Sequence, residues 1–179
     1  MKTDARCDLF EAIRTRRSVR SFQIEHIPPS VIERLVDAAR WAPSPSNLQT
    51  WRFVAIQEMA SLATLKALSP GFPRQATAAI VICSDRRDVR GCEEELGRIV
   101  VIEEAAMAAQ NILLAAHGLG LGACAVASFS AAGIGELVEL PESIWPILII
   151  ALGVPGETPL PPERKPLEKI LSWETYEEM

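Results

Sequence analysis

Arg14, Arg16, Arg17 and Arg20 crowd into one short stretch with Ser18 among them, the strongest charge asymmetry in the chain. Guanidinium groups stay charged and can grip a phosphate through paired hydrogen bonds, so such a stretch suits an anionic ligand. The same run serves equally well as a solvated basic face. Pro43, Ser44, Pro45, Ser46 and Asn47 form a second candidate, a stiff polar loop that presents hydroxyl and amide groups to a heterocycle at little ordering cost. Alternatively those groups bond only to the loop's own backbone. Gln49 and Trp51 are either its anchor or part of a pocket. A third candidate is Ala125-Val126-Ala127-Ser128, where side chains are small enough for backbone N–H groups to approach a planar ligand. Trp51, Phe72 and Phe129 read either as core or as pocket walls.

Other chemistries find less material. Gly118-Leu119-Gly120-Leu121-Gly122 follows a helical pattern instead of a strand and Ala125 stands where the last glycine of a dinucleotide fingerprint would fall, so its glycines end a helix and allow tight turning. Cys7, Cys83, Cys92 and Cys124 are widely separated without a CxxC pair, and His26 and His117 are too scattered to complete a metal-ligand set. The cysteines are therefore expected to be reduced, with Cys83 and Cys124 in the core, and no metal is expected. Lys and Arg number 18 against 23 Asp and Glu, a formal charge of −5, and no long basic block offers a nucleic-acid footprint. The amino end is polar, and the apolar run Trp145 to Val154 contains a proline and falls short of a bilayer span. A cytoplasmic protein that engages neither membrane nor nucleic acid is the expectation.

The elements that must position these residues are legible from their periods. A chain of 179 residues suits a single domain spanning 1–179. Leu9, Phe10 and Ile13 predict a short helix over Asp8 to Thr15 that delivers the arginines at its carboxyl end. Ser18 to Phe22 reads as extended or turning chain. Ser30 and Glu33 match a capping box, with Val31, Ile32, Leu35, Val36 and Ala39 as the buried stripe of a helix running to about Trp41. Strands are expected over Trp51 to Gln57, Ala78 to Cys83 and Ile147 to Leu152. A helix over Glu58 to Leu68 and a turn at Pro70-Gly71-Phe72-Pro73 lie between the first two. Glu93 to His117 predicts a long helix, with Leu96, Val100, Glu104, Ala108 and Ile112 along one face, Ala105, Ala109, Leu113 and Ala116 along another, and Gly118 as its left-handed stop. A further helix starts at Ser130 and covers Ile134, Leu137 and Val138. Beyond Gly153 the chain is proline-rich, and 154–179 is expected as an arm crossing a partner subunit. Helices alternating with short strands make the class α+β, a sheet packed with helices.

The order RRSVRSF, APSPSNLQTWRF, IEEAAMAAQNILLAAHGLGLGAC and PPERKPLEKI resembles the nitroreductase-like family of flavin mononucleotide (FMN) enzymes, from about Ala12 to Ile170. The resemblance implies a three-layer sandwich around a mainly antiparallel sheet, an intertwined homodimer and two interfacial FMN sites. It also implies NADH- or NADPH-driven reduction of a small planar acceptor, a quinone or nitroaromatic, by a ping-pong route. Carried onto this chain, it puts Arg16 and Arg164 or Lys165 at the flavin phosphate, with Arg17 and Ser18 supporting phosphate and ribityl chain. Arg20 becomes the catalytic support at the N1 and C2 carbonyl edge, where a cation stabilises the charge of the reduced ring. Pro43, Ser44, Pro45 and Asn47 would come from the other subunit, and backbone near Ala127 and Ser128 would approach N5.

The chain departs from the family in several places. Ala127 and Ser128 stand where larger relatives carry an acidic residue and glycine, Ala125 where smaller ones carry an aromatic, and Arg74 is only a weak match for their ring-contacting groups. Two other roles use the same binding shell: a specialised flavin-dependent oxidase, dehydrogenase or flavin-fragmenting enzyme, and a flavin-binding protein without turnover.

Overall fold

A computed structural model describes residues 8–89 and 94–177; Cys7 and Cys92 lie outside them. The element order is α1 (Leu9–Thr15), β1 (Phe22–Gln23), α2 (Pro29–Ala39), β2 (Trp51–Ile56), α3 (Met59–Ala67), β3 (Ala78–Asp85), α4 (Glu94–Gly118), β4 (Gly122–Val126), α5 (Ala131–Leu137) and β5 (Ile144–Pro155). Every ladder is antiparallel among the described residues. β5 is the organising strand: β3 covers one side of it, and β4 and β1 share the other end to end, with Gly122 opposite Gly153 and Phe22 opposite Pro155. β2 lies outside β3 and forms the sheet edge. The bulge where Cys83 meets Pro146 lets β5 carry a proline, which cannot donate to the ladder.

Side-chain alternation sorts the core into two faces. Ala78, Ile80, Ile82, Ala123, Ile150 and Leu152 point toward α2 and α4, joined by Leu35, Ala39, Ala108 and Ile112. Ala79, Val81, Cys83, Cys124, Val126, Ile149 and Ala151 point toward α3 and α5, joined by Leu62, Leu65 and Ile134. The result is the expected three layers. Burial pushes the Cys83 thiol up to about 12, as its core position implies. By length and composition alone α4 would suit a membrane span, but Ala105, Ala108, Ala109, Ile112 and Ala116 are buried in the core it shares with α2 and the sheet.

Three local expectations need correction. Ser30 does not cap α2; Pro28 is the N-cap and Pro29 opens the helix, because proline lacks the N–H that a first helical turn leaves unpaired anyway. Gly118 remains helical, and the left-handed residue is Gly120 (φ 75°), where Leu121 N donates to Ala116 O (2.8 Å) and Gly120 N to His117 O (3.0 Å) in a Schellman turn. The face from Leu96 to Ile112 is not one face. Steps of four residues drift by roughly 40° each around a helix, so Ile112 is fully buried while Leu96 is half exposed. Ser130 does cap α5, accepting from Gly133 N at 3.2 Å.

Two substitutions test this packing. A Cβ on Gly153 would sit 2.6 Å from the Phe22 ring, so Gly153→Ala should destabilise by about 1–3 kcal/mol in urea unfolding with an unchanged m-value. At the far end of β3, hydrogen bonding from Arg87 (Nε to Oδ1, 2.9 Å) outweighs burial and holds the Asp85 carboxyl well below the usual range, with Arg52 3.6 Å away. A depressed carboxyl stabilises the fold above its unfolded pKa of about 3.9 and loses that contribution as pH falls through the folded value. Asp85→Asn should thus lower stability at neutral pH and flatten its fall below about pH 4, measured by urea midpoints across a pH series.

Candidate functional site

The arginine stretch runs from the end of α1 across the edge of the sheet. Arg16 closes α1, its N–H bonded to Ala12 O (2.9 Å), and Ser18 forms an isolated parallel bridge to Ala123 with Val19 N donating to Ala123 O (3.0 Å). The close approach is permitted by missing side chains: a Cβ on Gly122 would lie 2.9 Å from Val19. Glu157 fixes the far end, its Oε1 accepting from Arg20 N (2.6 Å) and Ser21 N (3.0 Å). Arg17 spends one nitrogen on backbone, donating to Arg14 O (2.6 Å) and Arg16 O (2.8 Å). Those carbonyls are the ones a helix C-terminus leaves open, so Arg17 acts here as a clamp on α1.

Arg16 and Arg20 are different. Among the described residues neither guanidinium makes an ion pair or side-chain hydrogen bond. The segment that carries both is bridged to β4 between Ser18 and Ala123. Burial raises the Cys124 thiol, and the charges of Arg20 and then Arg16 pull it back. Past the end of β4 the chain continues to Ala127 and Ser128, both exposed. Two contacts lock that end: Ser69 Oγ donates to Ser128 O (2.8 Å) and Ser130 N to Leu68 O (2.9 Å). A Cβ on Gly71 would stand 2.6 Å from Ser128 Oγ, so the turn after α3 packs directly against the Ser128 side chain. Two unspent cations at one end of a strand and accessible backbone roughly 13 Å away at the other fit a long, planar ligand with an anionic tail.

The other predicted residues lie elsewhere in this protomer. Pro43 to Asn47 precede β2, whose Trp51 pairs with Ser84 at the end of β3, whereas the arginines sit beside the strand ends near Ala78 and Gly153. The loop is therefore at the opposite end of the sheet. Pro45–Asn47 is a 3-10 turn, and Ser46 (φ 49°), Asn47 (φ 56°) and Gln49 (φ 51°) are all left-handed without being glycine. Ser44 Oγ accepts from Gln49 N (3.2 Å), so the loop does use its own polar groups, while Pro43, Pro45 and Asn47 stay exposed. Arg164 and Lys165 are exposed on the carboxyl segment; Arg164 donates only to Glu163 O among the described residues, and nothing there joins either to Arg16. Trp51 and Phe72 are buried core, and Phe129 packs partly buried against the α3/α5 face.

Sequence reasoning missed three groups. Glu104 is fully buried on α4, its Oε2 accepting from Thr50 N (3.0 Å) and Thr50 Oγ1 (2.8 Å). A carboxylate in an alanine-rich helix was the available signal. The turn at Pro70 was legible, but neither its contact with Ser128 nor the role of Glu157 was, because their partners are remote in sequence.

The nitroreductase family model matches residues 13–70 and 57–154, covering most of the chain. The chain belongs to the nitroreductase family. A nitroreductase relative from Methanothermobacter thermautotrophicus, named for NADH dehydrogenase or NAD(P)H nitroreductase activity, is 33% identical over 92% of this chain and 89% of its own. The oxygen-insensitive NADPH nitroreductase of Salmonella typhimurium is 30% identical over 90% of this chain and 71% of its own length. Among solved nitroreductase-fold structures, the NADPH:FMN oxidoreductase of Vibrio harveyi complexed with NAD+ superposes with a TM-score of 0.86 at 25% identity, covering 95% of this chain and 78% of that one.

Ser46 gives a direct test of the loop geometry. A left-handed β-carbon is crowded by its carbonyl, at about 1–2 kcal/mol, so Ser46→Gly should leave stability unchanged or raise it by up to about 1 kcal/mol. Ser46→Val should lower it by about 1–2 kcal/mol in urea unfolding.

Proposed function

We propose that this nitroreductase-family protein is an NAD(P)H-dependent oxidoreductase that holds FMN between two copies of the chain and reduces a small planar acceptor, quinone or nitroaromatic, in a ping-pong cycle. The observation that carries the reading is the pair Arg16 and Arg20, on the segment that Ser18 bridges to β4, with no carboxylate partner for either guanidinium among the described residues. An unspent cation pair next to close-approach backbone matches the donors a flavin phosphate and ring edge require. When bound, FMN supplies a ring that takes a hydride from reduced nicotinamide and passes it on.

Each residue then has a task. Arg16, with Ser18, holds the phosphate; Arg17 keeps the end of α1 closed beneath it, and Arg164 or Lys165 adds charge from the carboxyl arm. Arg20 faces the N1 and C2 carbonyl edge, where a fixed cation favours the more negative reduced state without reorganising. Ala127 and Ser128 present backbone near N5 and leave the space above the ring free of long side chains. Ser44, Pro45 and Asn47, at the wrong end of their own sheet, serve the site of the partner subunit together with Pro43.

Association has its own support. Leu9 (62% exposed), Phe10 (66%) and Ile13 lie on α1, and Leu96, Ile99 and Ile102 lie on α4, all large apolar groups left open in a single protomer. Leu167, Ile170, Leu171 and Trp173 are open on the carboxyl segment as well. Surfaces of this kind are characteristic of subunit interfaces. Residues 1–179 act as one FMN-binding unit, with 154–179 laid across the partner.

Anaerobic titration of the purified protein with NADH and with NADPH tests the reading. The expected result is loss of the oxidised flavin absorbance with at least one donor, and its return on adding a quinone. A folded protein that neither carries FMN nor takes it up from solution overturns the proposal. Reduction without return on adding the acceptor would favour the oxidase or dehydrogenase reading. Arg20→Ala should weaken FMN binding by about 10-fold or more, the scale of one charge-assisted hydrogen bond, and slow reduction even at saturating FMN.

A further inference from the structure

We infer that Glu104 is a positioning residue of the flavin site, acting through Thr50 to hold the Ser44 to Gln49 loop in the shape that meets the ligand. The inference rests on the reading above that this loop lines FMN. Glu104 and Thr50 are both fully buried. Both hydrogen bonds from Thr50 end on one oxygen of Glu104, Oε2; Oε1 has no partner among the described residues. Thr50 is held from two other sides, with Ser84 Oγ donating to its Oγ1 (2.8 Å) and Asp85 N donating to its carbonyl (2.9 Å). Four of its polar contacts are thus fixed by α4 and β3, and a fifth, from Arg52 Nη1 to its carbonyl (3.4 Å), comes from β2.

The loop behind Thr50 needs such an anchor. Ser46, Asn47 and Gln49 adopt a conformation that L-residues resist, and the loop's own hydrogen bonds are short-range: Asn47 N to Ser44 O, Leu48 N to Pro45 O and Gln49 N to Ser44 Oγ. Short-range bonds survive in many loop shapes. The fixed points are the ends, buried Ala42 at the close of α2 and Thr50 at the start of β2. A carboxylate is a costly group to bury with one oxygen unpaired, and α4 elsewhere on its buried faces uses glycine, alanine, valine and isoleucine. Its retention is explained by what it holds. Because one oxygen takes both bonds, the requirement is for an acceptor at the Oε2 position and not for a negative charge.

The test uses the full-length protein and the variants Glu104→Gln, Glu104→Leu and Thr50→Val, each checked for a native far-UV spectrum. FMN affinity is measured by flavin fluorescence, and chymotrypsin cleavage after Leu48 is followed in the protein stripped of flavin. Glu104→Leu and Thr50→Val should lose at least 10-fold in FMN affinity and be cut faster after Leu48. Glu104→Gln should stay within about threefold of the parent in both, since its carbonyl can accept the same two bonds. If Glu104→Leu does not fold, Thr50→Val decides. Folded Glu104→Leu or Thr50→Val with parental affinity and parental cleavage overturns the inference, as does Glu104→Gln behaving like Glu104→Leu. Should the parent itself bind no FMN, the functional reading above fails, and the cleavage rates alone still decide whether Glu104 holds the loop.

Discussion

Phe22 occupies space that exists only because two strands carry glycine where they meet. Gly122 and Gly153 face each other across the β4–β5 ladder, and a side chain on either would strike Phe22, or Val19 beside it. That vacancy lets the segment after α1 lie flat on the sheet, bridge to Ala123 and pair with Val154 and Pro155. Arg16 and Arg20 are carried by this segment, and among the described residues no contact of their guanidinium groups places them. Their position is therefore set by steric permission at two glycines and by Glu157 binding two consecutive backbone N–H groups, and not by contacts of the guanidinium groups themselves.

This division of labour matters electrostatically. A cation that is positioned by its backbone keeps its side-chain donors free, whereas one positioned by an ion pair has already spent them. Arg17 shows the contrast one residue away, with a nitrogen committed to helix-end carbonyls. At the opposite end of the sheet, Arg52 and Arg87 gather around buried Asp85, and there the charges serve cohesion. The same residue type thus does opposite work at the two ends of β3, and the distribution of carboxylates decides which.

Much of this was legible in the sequence because the elements have strong periods. The apolar stripe of α2, the continuous apolar runs of β3 and β5, and the capped start of α5 all read directly, and with them the layered α+β class. β4 did not. Gly122-Ala123-Cys124-Ala125-Val126 holds a single β-branched residue, and its strand character comes from pairing with β5 instead of from local preference. The arginines, the proline-bounded loop and the small residues after β4 stood out by type, but their separation along the sheet depends on strand register, which spacing does not encode. Glu104 was placed on a face of α4 and passed over, since an acidic residue on a helix is ordinarily solvated. Only the fold brings Thr50 to it, from 54 residues away.

Under the proposed function, the exposed residues that follow β4 would bear on selectivity. Ala127 and Ser128 offer nothing longer than a hydroxymethyl group, and the turn beneath them is pinned by Ser69 and Gly71. A surface of this kind reads a visiting molecule by its flatness and contact area, and contact area discriminates weakly: a methylene more or less changes preference by only about 10- to 200-fold. Strong rejection of one compound over another comes from buried polar groups that a wrong partner leaves unpaired, and this strand end supplies only one hydroxyl for that purpose. Under the proposed function, a flavin site bordered by these side chains would accept a broad range of flat molecules.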